Sequence, residues 1–332
     1  MSLRKKLARA VLHDGGGLAA VRRWNRRGVR ILAYHALAPE LLPSLDQQCA
    51  HLRRYYHPVS MAEIAASPAG KPLPSNALAV TIDDGYADIA AAQPVFRKHG
   101  IQITVYLITD FLDRRNWIWW QPILYAFSHT DRRELEIGFL PEAPPRRFLL
   151  ESEPQRQYSA SMLIEAVKTL PNSRRLAVCE EVLDRLRVRM PSELPSEWRP
   201  LSWDQVRQLR REGVEFGAHS KTHPILSMVE DDGLLRHEIA GSKKRIEEEL
   251  GQAVIHFCYP NGLEADFDRR TVEIVRQCGY ETAVTTEMGI NFHPDSFLLR
   301  RFLVDPHQSL SYFAELVSGV HHLRPRRLLQ LP

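Results

Sequence analysis

The sequence predicts an α/β protein whose parallel sheet is closed, or nearly closed, into a barrel. Three observations lead there. Seven short apolar runs recur along the chain. Most are followed by a stretch of helical periodicity, and strands that alternate with helices build parallel sheets. The polar residues that follow the apolar runs, among them Asp83, Asp84, His219 and His223, are the kind that a barrel gathers at the rim where its strands end.

The elements follow in order. VRILAYH (29–35) reads as the first strand, and LDQQCAHLRRYY (45–56) has helical spacing. ALAVTID (77–83) is the second strand. YADIAAAQPVFRKHG (86–100) is a helix, with Pro94 expected to cap or kink it and Gly100 to stop it. IQITVYLI (101–108) is the third strand. The rhythm then breaks over residues 111–200, where a tryptophan-rich opening, a proline-rich piece and two helical stretches (158–170 and 173–188) suggest a helical insertion or lid. It resumes with a helix at 203–213, capped by Ser202 and stopped by Gly213. Strands are then expected at 214–219, 254–260, 281–286 and 297–304, and helices at 231–251, 268–279 and 310–320. The domain reading is a basic arm over 1–28 and a barrel over 29–332, interrupted by the insertion at 111–200.

Composition bounds the function. The chain has 332 residues, 44% hydrophobic and 25% charged, which is ordinary for a soluble globular protein. No apolar run approaches the roughly 20 residues of a membrane span, and the basic start lacks the apolar stretch of a secretory signal. The expectation is a cytoplasmic protein. Residues 1–30 hold nine Lys or Arg against Asp14 alone, so this segment carries +8 and the rest of the chain −4. Such a cluster could touch anionic lipid or the phosphates of a carrier at the inner membrane face, or simply be a solvated helix and linker. Nucleic acid is not expected, because the basic excess does not recur through the body with interleaved aromatics. The four cysteines (Cys49, Cys179, Cys258 and Cys278) are scattered, without a CxxC pair, and suggest neither a disulfide framework nor a cysteine metal site.

The strand ends carry the chemistry. The first ends in Tyr34-His35, the second in Asp83-Asp84-Gly85, the fourth in HSKTH (219–223) and the fifth in YPNG (259–262); the seventh carries Arg300-Arg301. Adjacent carboxylates repel and raise one another's pKa. A cation shared by Asp84, His219 and His223 would offset that repulsion and leave Asp83 free as a base. One carboxylate and two imidazoles suit Zn²⁺ or another divalent ion, with positions left open for water and substrate. Taken alone, the Asp doublet could equally be a turn or helix cap, and the His pair ordinary surface or core residues.

TIDDG (81–85), HSKTH (219–223) and FCYPNG (257–262), in that order and each at a strand end, resemble the first three motifs of the polysaccharide deacetylases, the NodB-homology group or carbohydrate esterase family 4. AVTTEMGIN (283–291) followed by LLRRFLV is similar to the tail of bacterial members from glycan-assembly pathways. The resemblance spans roughly 29–110 and 200–305. It implies a distorted (β/α)7 barrel and metal-assisted hydrolysis of an N-acyl group, usually acetyl, on an amino sugar. Asp83 would be the general base. Asp84, His219 and His223 would hold a divalent metal, Zn²⁺ foremost. The backbone N–H of Asn261 would face the oxyanion, with Pro260 and Gly262 shaping its turn. Tyr259, Pro260, Trp117 and His35 are candidates for contact with the N-acetylated sugar or glycan, with a hydrogen-bonded structural role open for His35 and a packing role for the tryptophans.

Two departures from the family pattern matter. Cys258 stands where the third motif often has an arginine that holds the base, and Arg301 or Arg300 could substitute from the last strand. The Leu-His motif that supplies the general acid is missing, which leaves His293, His307, His321 and His322 as weakly placed candidates, with Asp83 itself or a metal-bound water as the other sources of the proton. Alternatives are an amidase or imidase acting on a small C–N bond outside sugar chemistry, and a glycan-binding module whose activity has lapsed. The absence of a recognisable export signal turns the expectation toward a lipid-linked or nucleotide-linked glycan precursor.

Overall fold

The computed structural model describes residues 16–67, 72–115, 117–139, 144–293 and 295–320. Its strands are β1 Arg30–Tyr34, β2 His57–Pro58, β3 Ala77–Ile82, β4 Ile103–Leu107, β5 Glu134–Ile137, β6 Arg146–Leu149, β7 Glu215–Ala218, β8 His256–Cys258, β9 Thr282–Val284 and β10 Phe302–Leu303. The main sheet runs β10-β1-β3-β4-β7-β8-β9, and every pairing in it is parallel. The segment leading into β10 bridges Val284 through Leu299, while β10 itself pairs with β1 at Leu32 and Ala33. One piece of chain thus touches both ends of the sheet, and the seven strands curl into a distorted (β/α)7 barrel. The short β2 pairs with the first residues of β3, ahead of the point where β4 joins it.

Period-two alternation sorts the side chains of each strand. Leu32 and Tyr34, Leu78 and Val80, Val105 and Leu107, and Phe257 and Tyr259 point outward and pack under the helices in the largest apolar cluster. Ile31, Ala77, Ala79, Tyr106, Cys258, Val284 and Leu299 point inward and form a smaller one. The interior is tight. A Cβ on Gly217 would lie 2.5 Å from the Tyr106 ring and 2.8 Å from the His256 carbonyl oxygen, so only glycine lets that ring cross the barrel. The same parity carries Asp83 and His219, each one residue past its strand, inward at the rim.

Helices cover the outside. Gln205 at the third position completes a capping box with Ser202 on the helix Trp203–Arg211, and the helix Ile89–Lys98 carries Pro94 in its interior. No helix among the described residues is long and apolar enough to cross a membrane.

The insertion has its own apolar cluster, which includes Trp119, Ile123, Phe127, Leu163 and Val182. It holds the helices Gln121–His129, Glu153–Val167 and Asn172–Leu186, and also an antiparallel hairpin of β5 and β6. The expected helical insertion thus also carries two strands. Leu135 and Ile137 alternate with Glu134 and Glu136, buried against exposed, which is the strand period.

The described part of the basic segment is not a free arm. The helix Gly17–Trp24 buries Leu18 and Val21 and packs beside the helices Leu42–Tyr55 and Leu310–Ser318, with the Arg22 guanidinium 4.3 Å above the Tyr55 ring. Arg30, counted in the segment's charge, is fully buried in β1. Its Nε donates to the Val317 carbonyl at 2.8 Å and Nη2 to that of Ser318 at 3.4 Å, so it caps the C-terminal end of the helix Leu310–Ser318. Arg4, Lys5, Lys6 and Arg9 lie outside the described residues.

Candidate active site

Asp83 directly follows β3, and its backbone N–H still donates to the Tyr34 carbonyl across the sheet. Its carboxylate is buried and held by Arg301 in a bidentate pair, Nη1 to Oδ1 and Nη2 to Oδ2, both at 2.7 Å. Arg301 is fully buried. Its Nε donates to the Thr285 carbonyl at 2.8 Å and its Nη1 also to Thr81 Oγ1 at 3.0 Å, so the fork is aimed from three directions. Arg300, the other sequence option, is exposed and lies along Gly289. Strand alternation decides between them. Cys258, at the position the motif often gives to arginine, lies 3.6 Å from Asp83 Oδ2 and receives an Arg301 N–H at 3.2 Å. Burial lifts its thiol well above the ordinary value, so it is an inert neighbour.

Asp84 turns away from the strand with φ at 73°. Its Oδ1 lies 3.6 Å from His219 Nε2 and 3.8 Å from His223 Nε2. His219 Nδ1 lies 2.8 Å from the Cys258 carbonyl, which can only accept. The proton therefore sits on Nδ1, and the Nε2 lone pair faces Asp84. His223 is buried, its ring edge-on to His219 at 4.6 Å between centroids. Ser220 and His223 also adopt left-handed backbone, at φ of 62° and 59°. This conformation is costly for such residues and is found where surrounding structure enforces it. Glu238, on the helix Asp232–Leu250, supplies that enforcement. Its carboxylate accepts the backbone N–H groups of Lys221 and Thr222, both at 2.9 Å, and the Thr222 hydroxyl at 2.8 Å. On the other flank Lys221 donates to Asp110 at 2.8 Å.

The two aspartates sit in opposite fields. Burial pushes the Asp83 carboxyl up, but the charge and hydrogen bonds of Arg301 outweigh it and hold Asp83 well below the usual carboxylate range. Burial raises Asp84 above its ordinary value, opposed by His35 and His219. Burial also lowers His219, and lowers His223 further, so both rings are neutral near pH 7. Neutral imidazole is the form that ligates metal.

These residues fit a divalent cation. One ligand atom each from Asp84, His219 and His223 lies within 4.8 Å of the others, and all three residues are buried. Asp83, His219 and Cys258 form a second cluster of that size. The Arg301 guanidinium already occupies the carboxylate and thiol there, which disfavours a further cation.

The other expected residues fall at different distances. His35, following β1, is about half exposed (48%), with Nε2 3.8 Å from Asp83 Oδ2. Asn261 takes a left-handed turn (φ 56°), and its backbone N–H has no acceptor among the described residues. Gly262 makes that turn possible, since a Cβ would lie 2.9 Å from the Thr286 amide nitrogen. Pro260 is buried beneath it.

One expectation is corrected. Tyr259 does not face the rim. It is fully buried, stacks on Phe267 at 4.2 Å and donates to the Phe297 carbonyl, because alternation that turns Cys258 inward turns Tyr259 out under the helices. Trp117, the aromatic candidate for a sugar contact, is half-buried. Its ring lies edge-on to Tyr125 and Trp198, and it is Trp120 that packs on His223, at 4.8 Å. Among the acid candidates, His293 and His307 are exposed in the turns around β10 and bear no contact to Asp83. His321 and His322 lie outside the described residues.

A model of the polysaccharide deacetylase family matches residues 70–283. No curated protein sequence matches the chain. Among solved structures, the chain is similar to the Streptococcus pyogenes deacetylase PplD in complex with acetate, at 18% identity and TM-score 0.55, covering 90% of this chain and 99% of that one. It is also similar to IcaB from Ammonifex degensii (17% identity, TM-score 0.54, 87% and 97% covered) and to the deacetylase domain of BpsB from Bordetella bronchiseptica (18%, 0.51, 83% and 96%). At these identities the structural likeness speaks for the shared fold.

Proposed function

Because this chain belongs to the polysaccharide deacetylase family, we propose that it removes the N-acetyl group of an amino sugar at this rim, with Zn²⁺ as the cation held by Asp84, His219 and His223. One observation carries the reading. Two neighbouring aspartates have been given different partners, a guanidinium for Asp83 and two neutral imidazoles for Asp84. A divalent ion at the second supplies Lewis acidity toward an amide carbonyl and a water.

The chain's own groups divide the remaining work. Arg301 keeps Asp83 ionised and fixes its plane, and the carboxylate lone pairs not taken by Arg301 accept the proton of the attacking water. Water's oxygen bonds to the acyl carbon, and the unpaired Asn261 N–H in its left-handed turn supports a donor role toward the charge that develops on the carbonyl oxygen. The C–N bond then breaks, and the nitrogen needs a proton. His35 supports that role by position, as a half-exposed imidazole at the rim beside Asp83. Arg301 and His35 support an active enzyme over a lapsed module at the two places where the chain departs from the family pattern. The products are acetate and a free amine.

Acetate release from chitin oligosaccharides and from poly-N-acetylglucosamine tests the reading. Release stops on chelation and returns with added Zn²⁺; undiminished turnover by fully metal-stripped protein would overturn it. His35→Gln lowers kcat about 10²-fold or more on the amide, the usual range for a lost acid–base group. The same variant keeps its rate on 4-nitrophenyl acetate, whose leaving group needs no proton. Equal losses on both substrates would remove His35 from the acid role.

The setting we propose is cytoplasmic, with a lipid-linked or nucleotide-linked precursor as substrate. Exposed Arg23, Arg26 and Arg27 support a contact with anionic lipid. They precede β1 and so lie at the end of the barrel opposite the catalytic rim. Phosphates bound by these three would not belong to a sugar seated in the site.

A further inference from the structure

The rim carries a second feature outside the catalytic set, a cleft whose lining includes Arg114, Trp117, Glu193 and Arg199. One wall is stitched to the chain that leaves Asp84. Leu201 N–H donates to the Gly85 carbonyl and Ala87 N–H to that of Arg199, both at 2.8 Å, and Tyr86 bridges Pro200. Ala87 is three residues past Asp84, so at most about 11 Å of backbone separates them. The opposite wall belongs to the loop that carries Trp120 onto His223. Both walls are therefore continuous with the cation ligands.

The lining is built for an anion beside a ring. Tyr125 and Trp198 each meet the Trp117 indole in a T-shaped pair, with ring centroids 5.8 Å apart, and leave it partly exposed. Arg114 is set in left-handed backbone, φ 56°. Arg114 and Arg199 are exposed, and neither guanidinium has a hydrogen-bond or ion-pair partner among the described residues. Glu193 is the one acid on the lining. Two other arginines, by contrast, are paired: Arg301 with Asp83, and Arg245 with Asp113 and Glu249. An unpaired guanidinium presents a planar fork that matches phosphate or carboxylate oxygens, and an indole face accepts the C–H face of a sugar.

We propose that this cleft binds an anionic group carried by the substrate next to its N-acetylated ring, with an adjoining ring on Trp117 and the acid oxygens between Arg114 and Arg199. The proposal rests on the deacetylase reading and narrows its substrate class to acidic glycosides. The oxygens could come from a phosphate link or from a uronic acid.

Three probes distinguish the sources: UDP-N-acetylglucosamine, a hyaluronan tetrasaccharide and neutral chitotetraose. In the Arg114→Gln/Arg199→Gln protein, kcat/KM for the preferred anionic probe falls 10- to 100-fold relative to chitotetraose, chiefly through KM. Whichever anionic probe shows the fall identifies the source. An unchanged ratio, or a wild-type protein that prefers chitotetraose, overturns the proposal. Calorimetric binding of the same probes to Asp83→Asn protein, with and without the arginine changes, separates the two readings. Arginine-dependent binding of an anionic probe without any acetate release from wild type sinks the deacetylase reading and keeps the cleft. Binding indifferent to both arginines sinks the cleft whatever the turnover.

Discussion

Asp83→Asn protein releases acetate at least about 10³-fold more slowly than wild type, within the range by which a positioned base accelerates proton transfer. Asparagine keeps the shape of the side chain and loses its basicity. Zn²⁺ binding survives, because Asp83 is not among the three proposed ligands and the Asp84, His219 and His223 donors stay where their own contacts put them. Stability does not fully survive. The buried Arg301 guanidinium loses its counter-charge, and an unpaired buried charge costs about 3–5 kcal/mol. Activity is therefore to be measured well below the variant's melting point, beside zinc content and circular dichroism. A folded, zinc-loaded variant with a tenth of wild-type activity would remove Asp83 from the base role.

Arg301→Met protein has the second large effect, and it appears in the pH dependence. In wild type the Asp83 pKa is depressed below its unfolded value. Its contribution to stability is therefore full above the unfolded pKa, about 3.9, and is lost only as pH falls through the lower folded value. Without Arg301 the burial that opposes ionisation is no longer outweighed, and the folded pKa rises above the unfolded one. The sign then reverses, so that the variant loses stability as pH rises through that range. The acidic limb of kcat/KM moves to higher pH in the same direction, and the loss of activity is greater at pH 5.5 than at pH 8. Arg301→Lys restores part of the charge but not the two-pronged geometry, and so recovers only part of the rate. Denaturant midpoints and pH–rate profiles read both effects. An acidic limb that does not move in Arg301→Met would show that something else keeps Asp83 ionised.

Much of the candidate site is legible locally. Asp83 and Asp84 end an apolar run, His219 and His223 end another, and each pair is short enough in sequence for one turn to place it. A parallel barrel collects its strand ends at one rim, so residues at those ends stand out in the sequence. Harder to read were residues whose role depends on which face of a strand meets which neighbour. Tyr259 sits in a motif beside Cys258, yet the two point to opposite sides of the sheet. Three tryptophans lie within four residues, and only packing of the insertion turns Trp120 rather than Trp117 onto His223. The hairpin of β5 and β6 shows its alternation over just four residues a side, too short to stand out against the helices around it. Arg30 reads as one more charge of a basic segment, and only its burial in β1 makes it a helix cap.

The sequence by itself determined the alternation of strands and helices, the barrel class, the pair of aspartates and the pair of histidines, because periodicity and turn chemistry act over a few residues. The tertiary structure alone decided between the two arginines that the sequence offered, seating Arg301 on Asp83 across 218 positions and turning Arg300 away. It also decided the approach of His35 from β1 and the Glu238 clamp on the histidine loop. Such pairings join strand ends and a helix that only the folded sheet brings side by side, and no local rule of spacing encodes the register at which they meet.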